Sequence, residues 1–185
     1  KSAGIGRYCL MGSGNHLNRG RTPSPVSAYL RDLVGWCDKK VTLNTPGEYE
    51  ALHADYGTVT MFETDKENEY FILENRSRIS LDQHLPSSGL AIYHCDFLGS
   101  NEWQGGTPSR HYQCGLLQAD GHLDLEHNLN QGDDTDLFGK IDGIALSHST
   151  TPSSRTWDGV ESGLTLSKVS DPSTTIHFTI DDSTA

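Results

Sequence analysis

Tyr70-Phe71-Ile72-Leu73 and Leu90-Ala91-Ile92-Tyr93 constrain the fold of this chain more than any other feature. Each is a nearly continuous apolar run, too short for a typical helix, and reads as a central strand buried on both faces. Shorter runs carry the same signal at Val41 to Leu43, Gly57 to Phe62, Glu69 to Glu74, Gly89 to Cys95 and Tyr112 to Leu117. Leu164-Thr165-Leu166 and the clean alternation from Thr175 to Ile180 add two more strands toward the C-terminus. One helix is expected near residues 25–36. Ser24 suits its cap, Pro25 its first position and Gly35 its end, while Val26, Tyr29, Leu30 and Leu33 share one face. Residues 118–143 are acidic and rich in Gly and Asn, and read as loop. The expectation is a mostly β, β-rich α+β fold: an antiparallel sheet or sandwich with one N-terminal helix.

With 185 residues, one domain or two small lobes sharing a core are expected. The net charge is -11, and no basic run exceeds two residues. A field of that sign repels phosphate, so neither nucleic acid nor an anionic membrane is an expected partner. It suits hard cations instead. The first residue is Lys, and neither a signal peptide nor an apolar membrane-spanning run is present, so the chain reads as a processed or truncated piece of something longer.

Cys9, Cys37, Cys95 and Cys114 lack zinc-ribbon spacing and read as two disulfides, for which three connectivities exist. Cys95–Cys114 is favoured because each cysteine borders an apolar segment and the stretch between them is polar. Cys9–Cys37 follows by elimination. Asn75-Arg76-Ser77 has the form of a glycosylation acceptor, a short pattern that arises often by chance.

Catalytic signatures are mostly missing. No His-Glu-x-x-His occurs. His122 and His127 are five apart, which on a helix separates them by about 140° and prevents a shared metal. Ser13 lacks the first glycine of a nucleophile elbow, a position held by Met11. Glu74, Arg76, His94 and Asp96 form the most reactive leftover set. Residues two apart on a strand share a face, so these four are expected to gather at one sheet end, as a buried ion network or a metal- or substrate-contact site. Asp120, Asp124, Asp133, Asp134 and Asp136 supply hard oxygen ligands over a short span and are the calcium candidates. The spacing is not that of an EF-hand, because the fifth and twelfth positions from Asp134 are Phe138 and Ala145.

An ordered series of motifs resembles a known family. The run from Gly6 to Asn15, through Tyr8-Cys9-Leu10-Met11-Gly12-Ser13, is similar to the segment that follows the zinc helix in immune inhibitor A-like secreted metallopeptidases. Pro25-Val26-Ser27-Ala28-Tyr29 with Gly35-Trp36, Glu74-Asn75-Arg76, His94-Cys95-Asp96, Gln118-Ala119-Asp120-Gly121, Gly132-Asp133-Asp134-Thr135-Asp136-Leu137-Phe138 and Asp158-Gly159-Val160-Glu161-Ser162-Gly163-Leu164 continue in the same order. The resemblance implies the C-terminal portion of a secreted, zinc-dependent endopeptidase, with a peptide or protein as substrate and an upstream catalytic segment of the same protein as partner. Residues 1–40 would complete that catalytic domain, and 41–185 would form a β-rich domain packed on it. Met11 matches the methionine turn, the apolar floor beneath the zinc-bound imidazoles. Zinc ligands and the general-base Glu match no position here, so the chain alone is expected to be inactive. The alternative is a non-catalytic, calcium-stabilised β binding module.

Overall fold

The computed structural model describes residues 2–102 and 106–183. The chain is mostly β, in two sheets. The strands are β1 Lys39–Thr42, β2 Gly47–Leu52, β3 Thr58–Glu63, β4 Glu69–Asn75, β5 Leu90–Asp96, β6 Cys114–Leu116, β7 Ile141–Leu146, β8 Leu166–Val169 and β9 Thr175–Ile180. One sheet runs β1-β3-β4-β5-β6, with β1 parallel to β3 and the other pairs antiparallel. The second runs β2-β9-β8-β7, antiparallel throughout.

The two apolar runs become β4 and β5, adjacent central strands covered on both faces. Phe71, Leu73, Leu90 and Ile92 point to the second sheet, where Ala51, Leu166, Ile176 and Phe178 meet them. Ile72, Ala91, Tyr93 and Cys95 point the other way, into a core shared with Ile5, Tyr8, Cys9, Ala28 and Tyr29. Residues from Ile5 to Tyr29 therefore contribute to the same core as the sheet, packing over one of its faces.

The helix is shorter than expected: α1 spans Ala28–Leu33. Ser27, not Ser24, caps it, its hydroxyl accepting the Leu30 N–H. The end behaves as Gly35 predicts. Gly35 adopts a positive φ, and the bonds Trp36 N–H to Arg31 O and Gly35 N–H to Asp32 O close a Schellman turn. Leu33, expected on the buried face, is 59% exposed because the helix stops there, whereas Arg31 is buried. The sequence reading missed β2 and β7. In β2 only Tyr49 and Ala51 mark the inner face between charged residues, and β7 is irregular, with register shifts around Gly143. Asn75 is buried, and its amide donates to Ala51 O and Ser173 O, so it is not a glycan acceptor in this fold.

Candidate functional site

The N-terminal turn is built to be rigid. Gly12 and Gly14 both donate to Cys9 O, and Ser13 donates to Gly6 O. A Cβ at Gly12 would lie 2.4 Å from Gly6 O, and one at Gly14 would lie 2.5 Å from the Ser24 side chain, so both positions demand glycine. Tyr8 and Cys9 are buried beneath the turn, while Met11 is 74% exposed at its tip. Beside it opens a cavity of about 320 Å³ whose lining includes Ile5, Cys9, Met11, Tyr29, Leu30 and Cys114. The Tyr29 hydroxyl is buried without a partner.

Glu74, Arg76, His94 and Asp96 do not meet at one sheet end. In the antiparallel pair Glu74 lies opposite Ala91, whereas Asp96 lies opposite Glu69, so the two halves of the expected cluster sit at opposite ends of β4 and β5. At one end Arg76 donates to both oxygens of Asp82, to Tyr8 O, to the Ser24 hydroxyl and to Glu74. Arg31 completes Glu74 at 3.0 Å, and His53 pairs with Asp82 at 2.9 Å. Burial pushes the Glu74 carboxyl up, but Arg76 and Arg31 outweigh it and hold the group below its ordinary value. The network is buried and densely paired, as charges taken out of water must be.

At the other end His94 bonds Glu69 at 2.7 Å and stacks between Phe71 and Trp157. His111 bonds Asp96 at 2.8 Å and stacks on the same Trp157. Sequence reasoning missed Arg31, His53, Glu69, Asp82, His111 and Trp157. They come from separate segments, and no local spacing links them. The stack pins the loop around Trp157 to the sheet. Trp157 is half-buried, so Trp157→Ala should lower stability by about 1–3 kcal/mol, less than the roughly 3–5 kcal/mol of a fully buried aromatic. Thermal denaturation checks this; a change below about 1 kcal/mol would show that the clamp is not what holds the loop.

Of the five calcium candidates, Asp120, Asp133 and Asp136 come together, each offering an oxygen within 4.8 Å of the others. Asp124 shares Asn130 with Asp133, both accepting from its amide. Asp134 is exposed and outside the group. Burial pushes the Asp136 carboxyl up to about 6, against hydrogen bonds from the Asp133 N–H and the Tyr8 hydroxyl. Among the described residues this all-carboxylate group is the one set of three side chains placed to share a metal, and it does not offer the nitrogen and sulfur donors that zinc prefers.

All four cysteines are free thiols in the structure. Cys95 and Cys114 are direct register partners across β5 and β6. Neither expected link, Cys95–Cys114 or Cys9–Cys37, is formed. The Cys9 sulfur accepts the Ser27 N–H in the interior, whereas Cys37 lies half-buried beside Tyr56 O. Among the described residues no helix is long and apolar enough to cross a membrane. In comparisons with family models, curated proteins and solved structures, nothing matches the chain.

Proposed function

We propose that this chain is the C-terminal portion of a secreted, zinc-dependent endopeptidase resembling the immune inhibitor A type. Its role is to supply the apolar floor of the active site and a β-rich support for it. The carrying observation is the turn at Gly6 to Gly14: buried anchors and two obligatory glycines hold Met11, and to a lesser extent Leu10, out of the fold. A rigid apolar tip beside an open cavity is suited to being covered by another part of the protein. The order of the sequence motifs supplies the family. Zinc in the parent would polarise a water for attack on the peptide carbonyl. No step of that hydrolysis is assigned to the residues described here, because none of them provides a zinc donor set.

The purified chain should leave casein uncleaved, while the full-length protein cleaves it and loses the activity to a zinc chelator. Met11→Lys in the full-length protein should reduce zinc retention, since it places a positive charge against the imidazoles that hold the dication. A coding sequence without His-Glu-x-x-His upstream of this segment, or proteolysis by the isolated chain, would overturn the proposal. The acidic triad favours a second reading, a cation-stabilised β module with no catalytic partner, and the same upstream sequence separates the two.

A further inference from the structure

We infer that Asp120, Asp133 and Asp136 form a site for one hard divalent cation, calcium by its donor set, and that the bound ion braces the N-terminal turn that carries Met11. The inference stands on the geometry of this loop and holds whichever reading of the function is correct.

The first argument is distance. Calcium sits about 2.3–2.6 Å from its oxygens, so two oxygens on one ion lie at most roughly 5 Å apart. The three carboxylate oxygens already fall within 4.8 Å of one another. A single ion can therefore be shared by all three with an adjustment of at most a few tenths of an ångström.

The second is a shortage of donors. Asp136 is 0% exposed, and its Oδ1 receives no hydrogen bond at all. Leaving a buried acceptor unpaired costs about 1–3 kcal/mol, and more for a charged one. The Thr135 hydroxyl lies within hydrogen-bond distance of both Asp120 Oδ2 and Asp133 Oδ1, yet it has a single proton to give. The basic group that pairs with these carboxylates among the described residues is His122, exposed, at 3.3 Å from Asp120. A cation supplies what the side chains do not. Irregularly spaced carboxylates suit calcium's flexible coordination better than the strict octahedron of magnesium.

The third is the connection to the turn. The remaining oxygen of Asp136, Oδ2, accepts the Tyr8 hydroxyl at 2.8 Å, and that hydroxyl also lies 3.1 Å from Asp133 O. Arg7 N–H donates to Gln131 O, and Ala3 N–H donates to Leu125 O. The acidic loop thus holds both ends of the segment preceding Met11. Without an ion, repulsion among the carboxylates strains the same loop that anchors Tyr8. With one, the loop and the turn are fixed together.

The test uses the 185-residue chain stripped of metal. Terbium emission sensitised through tyrosine should report one site, displaced by calcium, and calcium should raise the melting temperature. Asp120→Asn and Asp136→Asn should each weaken binding at least about tenfold, as even indirect ligand contacts do. Asp134→Asn should not. If Asp136→Asn fails to fold, Asp120→Asn carries the measurement. Hydrogen exchange should slow on calcium addition in residues 120–136 and also in residues 6–14. Tyr8→Phe should retain the ion but lose much of the protection in 6–14. No cation binding at millimolar calcium, or equal weakening by Asp134→Asn, would overturn the site. Protection confined to residues 120–136 would overturn the bracing role.

Discussion

Arg76→Met should destabilise the protein by about 3–5 kcal/mol, the range for breaking a buried ion pair by removing one partner. Arg76 is buried where four segments converge. It links Tyr8 O in the N-terminal turn, the Ser24 hydroxyl ahead of α1, Glu74 on β4 and Asp82 in the following loop. Methionine matches much of the aliphatic stem but returns none of these bonds. Asp82 is then left with His53, and Glu74 with Arg31, the Tyr93 hydroxyl and the Ala28 N–H. At roughly 2–4 °C per kcal/mol for a domain of this size, the melting temperature should fall by about 6–20 °C. Removing the stranded charge as well, in Arg76→Met with Asp82→Leu, should recover part of the loss, because an apolar replacement of both partners avoids an uncompensated buried carboxylate. A single-variant loss below about 1 kcal/mol would mean that the network is incidental to the packing of the N-terminal layer.

The same residues show what a sequence can disclose. β4 and β5 were legible because a strand covered on both faces must be apolar at nearly every position, and such runs have few other readings. β9 was legible from strict alternation. β2 was not, because an edge strand with one buried face shows its inward residues, Tyr49 and Ala51, between charged ones that look like loop. At the candidate sites, Glu74 and Arg76 were found as a pair because their contact follows from strand geometry, at 3.2 Å. Grouping them with His94 and Asp96 failed because that contact depends on strand direction and register. The acidic loop was legible from composition, but the selection of Asp136 over Asp134 was not. Asp136 is drawn inward with Leu137 and Phe138, which lie in the core, whereas Asp134 faces solvent. Tyr8 joins the loop from more than a hundred residues away, a relation no local pattern encodes.

Folding under oxidising conditions should produce a Cys95–Cys114 disulfide and leave Cys9 and Cys37 as thiols. Asp96 N–H donates to Gln113 O, and Leu117 N–H donates to Ile92 O. Those residues occupy the hydrogen-bonded positions of the β5–β6 ladder, so Cys95 and Cys114 fall on the non-hydrogen-bonded position between them. At such positions facing Cα atoms are typically about 4.5 Å apart, inside the roughly 4.4–6.8 Å that a disulfide accepts. Both sulfurs are buried, and burial raises the Cys95 thiol well above its ordinary value, so the folded protein should oxidise slowly and the bond should form during folding. The bond would close a loop of roughly 15–20 residues and restrict the unfolded chain, contributing about 3 kcal/mol by the chain-entropy model. Non-reducing peptide mapping identifies the link, and thermal denaturation with and without reductant measures its contribution. A Cys9–Cys37 bond would overturn the assignment of those two to separate environments. Four thiols in protein folded under oxidising conditions would overturn the Cys95–Cys114 prediction, and with it the expectation that this protein matures in an oxidising compartment.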